Sequence, residues 1–329
     1  MSGPRASEAA LIARYFAPLA GPGAEGLRDD AASLTPSAGH DLVLTTDAIV
    51  AGIHYFPDDP SASIARKALG VNLSDLAAKG AAPRGFLLTL ALPDDWTEDW
   101  LARFSEGLRE ASSAHRCPLL GGDTVRTSGP MTISVTALGE VPAGAMVRRQ
   151  GARPGDRLCV TGTIGDAALG LLVRREPEGA LSGRLTPEAR MFLLDRYLHP
   201  QPRLALAPVL RRHARAAMDV SDGLAGDLAK MLAGVTARVS IADVPLSVAA
   251  RHALAIDPGG LDTVLTGGDD YEVLCAVDPA RVESFLEEAR EVGVPAAPIG
   301  WVEPGEGAPV FAAEEGAERR FATASFSHF

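Results

Sequence analysis

Six short segments of this chain place acids in unusual company. They are Arg28-Asp29-Asp30-Ala31-Ala32, Leu44-Thr45-Thr46-Asp47, Asn72-Leu73-Ser74-Asp75, Gly121-Gly122-Asp123-Thr124, Met218-Asp219-Val220-Ser221-Asp222-Gly223 and Thr266-Gly267-Gly268-Asp269-Asp270. Surface acids ordinarily sit among Lys and Arg on solvated helix faces. These sit beside Gly, Ser, Thr and Ala, mostly at the ends of apolar runs. Small neighbours let a backbone come close to a ligand, and an acid at a strand end is held by rigid structure. Oxygen-only donors suit hard cations, Mg²⁺ above all when phosphates complete its octahedron. Carboxylates gathered without a cation would repel one another.

Each segment also has a plainer reading. Asp29-Asp30 reads as a turn, Asp75 as the i,i+4 partner of Lys79, and Asp123 as a loop or Asx turn. Ser221-Asp222-Gly223 reads as a helix N-cap, and Gly267 to Asp270 as a hairpin turn. The six together, with few basic neighbours, favour cation chemistry. Gly162-Thr163-Ile164-Gly165-Asp166 is either a plain strand-to-helix connection or a turn presenting N–H groups to phosphate. It lacks the Gly-Lys-Ser/Thr of a Walker A loop. His54, just past Asp47, is a ligand contact or a structural histidine.

The elements that must hold these groups alternate between helix and strand. Helical spacing runs from Ala6 to Leu19, and Leu42 to Thr46 reads as a strand ending at Asp47. Helices are predicted over Ser61–Lys79 and Thr97–His115, the second capped by Thr97, with strands at Phe86–Leu92 and Met131–Leu138. Cys117-Pro118 also falls in a predicted strand. After a Gly-rich stretch with a turn at Arg153-Pro154-Gly155-Asp156, strands are predicted at Arg157–Thr161, Ala216–Val220 and Tyr271–Val277. Helices are predicted from Gly165-Asp166 to Leu172, Pro187–Tyr197, Leu204–Arg212, Gly223–Leu232 and Pro279–Glu291. No GxGxxG follows a strand. The reading is α+β, in two domains spanning residues 1–148 and 149–329.

The net charge of −11 argues against nucleic acid as a main partner, since phosphate backbones need a basic footprint. No apolar run reaches the ~18–20 residues of a membrane span, and the N-terminus has no signal-peptide pattern. Three widely spaced cysteines, Cys117, Cys159 and Cys275, read as reduced core residues. A cytoplasmic location is expected.

Taken in order, the acidic segments, His54, the run Asn72 to Ala81, the run Val160 to Asp166, Gly267 to Glu272 and the terminal Ser327-His328-Phe329 resemble thiamine-monophosphate kinase. That family belongs to the superfamily of aminoimidazole ribonucleotide synthetase and selenophosphate synthetase. The resemblance implies a homodimer whose N-terminal domains join their sheets across the two-fold, a C-terminal domain like an α/β sandwich, and an active site in a cleft between domains. It implies ATP and thiamine monophosphate as substrates and thiamine diphosphate and ADP as products, with several Mg²⁺ ions. By position, Asp30, Thr45, Thr46, Asp47, Asp75, Asp123, Asp219 and Asp222 would ligate Mg²⁺. Gly122, Asp123, Arg149 and Ser221 would contact ATP, and His54, Asp269 and Phe326 the thiamine phosphate. Arg28 stands where the family commonly has Gly, Asp269 replaces a frequent Glu, and Phe326 takes a place often held by Trp or Tyr.

The implied acceptor is a phosphate monoester, largely dianionic near neutral pH, and needs no strong base. Mg²⁺ would offset the repulsion between anions and align in-line attack. That agrees with the absence of a Ser-His or Cys-His nucleophile pair. Arg149, and Arg126 in a loop after Asp123, are candidates to stabilise transferring charge. Two alternatives stay open: another ATP-dependent enzyme of the same superfamily, and a non-catalytic protein that binds divalent cations.

Overall fold

A computed structural model of the chain describes residues 7–313 and 316–321. The chain forms two compact units, Met1–Leu76 with Ala82–Gly144, and Ala77–Ala81 with Ala145–Phe329. Both mix helix and sheet, so the architecture is α+β in two domains. Among the described residues no helix is long and apolar enough to cross a membrane.

The first unit opens with α1 (Glu8–Leu11), which loosens into a wider turn over Ile12–Phe16 and tightens again at Ala17–Leu19, where Pro18 withholds an N–H. It continues with β1 (His40–Val50), α2 (Ser61–Ala78), β2 (Ala82–Leu92), α3 (Glu98–His115), β3 (Leu119–Arg126) and β4 (Thr132–Pro142). Thr97 caps α3 by accepting from the Trp100 N–H. The strands form one sheet in the order β1-β4-β2-β3, with β2·β3 parallel and the other pairs antiparallel.

Period-2 alternation sorts this sheet into two faces. Val43, Ile49, Phe86, Leu88, Leu90, Ile133, Val135 and Ala137 are buried, as are Leu69, Leu73, Leu101, Phe104 and Leu108 of the two helices. The opposite face leaves Leu42, Leu44, Leu87 and Val125 exposed, Leu44 by 62%.

Asp47 lies inside β1, three residues before its end, and not at a strand terminus. Pairing with β4 (Asp47 opposite Val135, Val50 opposite Thr132) carries the strand past the apolar run. Asp123 is likewise within β3, and Arg126 is that strand's last residue, not part of a loop. Cys117-Pro118 precedes β3 and belongs to no strand. Both acid-bearing strands, β1 and β3, are the edges of the sheet, where an outward carboxylate keeps its hydration. Gly122 lies where β3 crowds β2, and a Cβ there would lie 1.9 Å from the Leu88 carbonyl oxygen. Gly122→Ala is expected to destabilise the chain by about 2 kcal/mol or more, read as a lower urea midpoint at unchanged m-value.

The second unit contains β5 (Arg157–Thr161), α4 (Asp166–Arg175), α5 (Pro187–Leu198), α6 (Ala207–His213), β6 (Ala214–Asp219), α7 (Leu224–Met231), β7 (Thr236–Ser240), α8 (Val248–Ile256), α9 (Leu261–Thr266), β8 (Val273–Val277), α10 (Val282–Glu291), β9 (Ala296–Glu303), β10 (Val310–Ala312) and β11 (Glu318–Arg319). Its mixed sheet runs β11-β10-β7-β9-β5-β8-β6. Helices cover both faces. Leu158, Val160, Met218 and Leu274 pack with residues of α4, α5, α7, α8 and α9. Cys159, Ala217 and Cys275 pack with α6 and α10. Strands buried on both sides read as unbroken apolar runs, as in Val273–Val277. Cys117, Cys159 and Cys275 are buried free thiols, and burial pushes Cys117 and Cys159 up to about 12.

Candidate active site

In the first unit, the predicted ligands fall into two groups. The first joins β1 to α2. Thr45 Oγ1 donates to Asp75 Oδ2 at 2.5 Å, and the Asp47 N–H donates to Asn72 Oδ1 at 3.0 Å. Asn72 is fully buried, its amide held by the Ala68 carbonyl, so it acts as a fixed strut. Thr45, Asp47 and Asp75 thus share the helix side of the β1 edge, on rigid elements. Beside them, His54 Nδ1 accepts the Val50 N–H at 3.0 Å. In the neutral ring this assigns the proton to Nε2.

The second group lies on the open face of the sheet. A cavity of about 710 Å³ is lined by Asp29, Asp30, Thr89, Gly121, Gly122, Asp123, Thr124 and Thr136, with an apolar wall that includes Ile12, Phe16, Leu27 and Leu87. The Asp30 N–H donates to Asp29 Oδ1 at 2.7 Å, and the chain bends at these two residues. Thr46, on this face, accepts from Thr136 Oγ1 at 3.0 Å. The sheet order separates β1 from β3 by three strand steps, roughly 14 Å at ~4.8 Å each. Asp47 and Asp123 therefore do not meet within this unit. Arg126 pairs with Asp94 at 2.6 Å on the surface, so the structure gives it a surface role.

In the second unit, the structure brings together Asp219, Ser221, Asp222 and Asp269. Asp219 ends β6 and is buried. The Asp269 N–H donates to the Ser221 carbonyl at 2.8 Å, and the Tyr271 N–H to the Val220 carbonyl at 2.8 Å. Gly268 and Gly223 permit this close approach. A Cβ on Gly268 would lie 2.2 Å from Ser221 O, one on Gly223 2.5 Å from Thr266 O, and both have positive φ. Gly267 to Asp270 is therefore no hairpin turn; it links α9 to β8. Asp222 is paired with Lys230, which also reaches Asp227 Oδ1 at 2.9 Å. A cation at Asp222 must displace Lys230. Arg149 is exposed. Phe326 lies outside the described residues.

The turn Gly162 to Asp166 offers little to a phosphate. Asp270 Oδ2 accepts the Gly165 N–H at 2.7 Å, and Oδ1 the Ala167 N–H at 3.3 Å. The Gly162 and Ile164 N–H groups go to the carbonyls of Pro295 and Pro245. An internal carboxylate thus takes the place at the α4 N-terminus that an anion would occupy.

Asp227 and Lys230, which pair around Asp222, are not among the residues the sequence reading singles out; Asn72 stands in a segment that it does, but its role as a strut depends on the fold. Asp227 and Lys230 stand at i,i+3 on the helix after Asp222, a signal that was there to be read. Burial pushes the Asp270 carboxyl well above the ordinary range; the Gly165 N–H opposes this and the Asp166 charge adds to it. Asp166 and Asp227 are raised too, again chiefly by burial. A raised folded value means the native state binds its proton more tightly than the unfolded chain. The stability from such a group is full below the ordinary carboxylate pKa of roughly 3.9 and is lost as pH rises through the folded value. The stability difference between wild type and Asp270→Asn should shift against wild type as pH rises from about 4, measured by urea melts across pH 4–8.

The chemistry of the donors fits Mg²⁺, being carboxylate and hydroxyl oxygen throughout. Among the described residues no three His, Cys, Asp or Glu side chains form a ready metal cluster. Each group would thus draw further oxygens from water or substrate phosphate, as Mg²⁺ sites commonly do.

Comparison with known proteins defines the class. Residues 28–141 match the AIR synthase related protein, N-terminal domain, and residues 153–312 the AIR synthase related protein, C-terminal domain. A thiamine-monophosphate kinase of Caulobacter vibrioides is 42% identical over 311 residues, covering 91% of this chain and 85% of that protein. The crystal structure of thiamine-monophosphate kinase from Stenotrophomonas maltophilia K279a is 38% identical, with a TM-score of 0.79 over 88% of this chain and 91% of that one. AaThiL complexed with AMPPCP and TMP is 28% identical, with a TM-score of 0.76 over 98% of this chain and 94% of that one. This chain belongs to the thiamine-monophosphate kinase family of AIR synthase related enzymes.

Proposed function

We propose that this enzyme transfers the γ-phosphoryl group of ATP to thiamine monophosphate, releasing thiamine diphosphate and ADP. The observation that carries this reading is the link between Thr45-Asp75 and Asp47-Asn72, which holds hard oxygen donors on rigid elements in a member of this family. AaThiL, complexed with AMPPCP and TMP, supports the substrate pair. AMPPCP is ATP with a methylene at the β,γ bridge.

Thr45, Asp47 and Asp75 would hold one set of Mg²⁺ ions, Asp30 and Asp123 another, and Asp219 and Asp222 a third; Thr46, on β1, is a further candidate ligand three strand steps from Asp123. When bound, these ions would neutralise the phosphates and favour in-line geometry. An oxygen of the acceptor phosphate attacks the γ-phosphorus while the bond to the ADP oxygen breaks, so no protein nucleophile is needed. Gly122 and Asp123 would meet the nucleotide in the open-face cavity, and Ser221 and Arg149 are further candidate nucleotide contacts. His54 would offer its Nε2–H to the acceptor, with Asp269 and Phe326 as further contacts. The exposed Leu42, Leu44 and Leu87 suit burial against a second copy in a homodimer. The buried free thiols suit the cytoplasm.

Purified protein incubated with ATP, Mg²⁺ and thiamine monophosphate should form thiamine diphosphate and ADP in equal amounts, resolved by chromatography. ADP without thiamine diphosphate, or neither product, would reject the reading.

A further inference from the structure

We propose that Asp270 is a positioning residue that sets the spacing between the nucleotide contact Ser221 and the acceptor contact Asp269; this rests on the kinase reading above. The segment from Gly268 to Glu272 is conformationally costly. Asp269 (φ 67°) and Tyr271 (φ 52°) both hold left-handed backbone without being glycine. Such residues cost on the order of 1–2 kcal/mol each and persist where surrounding structure over-determines them.

Here the over-determination comes from the even-numbered residues. Asp270 is buried and takes two N–H groups from the start of α4. Glu272 is fully buried and accepts from Thr161 Oγ1 at 2.7 Å, Arg196 at 2.8 Å and Arg203 Nε at 2.6 Å. The Val220 N–H donates to the Glu272 carbonyl at 2.8 Å, which closes the ladder onto the 219–222 loop. Asp269 and Tyr271 remain half-buried on the other side. The two loops therefore move as one piece, anchored from within and presenting Ser221 and Asp269 together.

Capping α4 does not by itself require Asp270. A short polar residue at the N-cap serves that purpose locally, yet the N-cap is Gly165, with φ 84° and no side chain to offer. The cap instead arrives from 105 residues away. A cap from that distance does what a local one cannot, since it fixes the 268–272 segment to the helix. An error of about 1 Å between donor and acceptor costs on the order of 10²-fold in rate, so the anchor bears on turnover.

Two variants test this. Asp270→Asn keeps the shape but turns one acceptor into a donor facing an N–H. Ala167→Pro deletes one donor from the first turn of α4, where proline is tolerated, and leaves the loop untouched. Expected for Asp270→Asn are a kcat at least tenfold lower and a raised KM for thiamine monophosphate. The Kd for AMPPCP alone, by calorimetry, should change less than twofold. Ala167→Pro should show the same pattern at about threefold, which keeps the test decisive should Asp270→Asn fail to fold. Variants that lose only urea midpoint, with kcat and KM unchanged, would overturn the positioning role while leaving the kinase reading intact. A wild-type chain that makes no thiamine diphosphate would remove both.

Discussion

Asp75→Asn is expected to lower kcat by about three orders of magnitude at saturating Mg²⁺ and ATP, with little change in thermal midpoint. Phosphoryl transfer rests almost wholly on positioning and electrostatic stabilisation, and losing one group aimed at developing charge typically costs 10²–10³-fold. Asp75 is half-buried in α2 and accepts a short bond from Thr45. An amide can still accept that bond through its oxygen, so the fold has little reason to fail. What the amide lacks is the full negative charge a divalent ion requires. Asp47→Asn should behave similarly, because the Asp47 contact with Asn72 uses its main-chain N–H and survives the change. Steady-state kinetics with a Mg²⁺ titration checks both. A near-normal kcat in either variant would remove that residue from the ligand set.

The largest expected stability effect lies at Glu272. Its carboxylate is fully buried between Arg196 and Arg203, with Thr161 completing its partners. Removing one member of a buried ion network leaves the others uncompensated, at a cost of roughly 3–5 kcal/mol. Domain stabilities are about 5–15 kcal/mol, so Glu272→Ala should bring the second unit close to unfolding. The cavity adds to this, because Gly162 packs directly on the carboxylate. Replacing Glu272, Arg196 and Arg203 together by apolar residues of similar volume should recover much of the loss, since the buried charges then vanish as a set. Urea denaturation of the single and triple variants measures both. A loss under 1 kcal/mol in Glu272→Ala would show that water reaches the two guanidinium groups.

The sequence made some features legible for physical reasons. Thr97 announces α3 because a cap is a local hydrogen bond, and Arg157–Thr161 shows as a strand because Leu158-Cys159-Val160 is an apolar run bounded by polar residues. The predicted helix Pro187–Tyr197 agrees with α5, where the structure shows Thr186 as the cap and Pro187 at N1. Strand ends were less legible. The reading ends the strand at Asp47 because an acid follows Leu42-Val43-Leu44-Thr45-Thr46, whereas β1 runs on through Ala48-Ile49-Val50 opposite β4. Strands β7 and β9 are not among the predicted strands: Thr236–Ser240 alternates strictly but spans only five residues, two of them apolar, and Ala296–Glu303 includes Pro298 and Gly300.

The candidate site divides in the same way. Acids flanked by small residues could be singled out from composition, and the structure does join Thr45 with Asp75, and Ser221 with Asp269. The partition of the first unit's ligands into two groups could not be read, because it depends on β1 and β3 forming opposite edges of a four-stranded sheet. The role of Gly162 to Asp166 was equally hidden. Whether that turn is open to phosphate depends on Asp270, whose proximity only the fold supplies.

The most direct test is anomalous diffraction from crystals grown with Mn²⁺ and AMPPCP. Peaks roughly 2.0–2.4 Å from carboxylate oxygens of Asp47 and Asp75, disappearing from that position in Asp75→Asn crystals, are the expected result. Bound nucleotide with no metal at either residue would contradict the claim that these acids hold divalent ions for phosphoryl transfer.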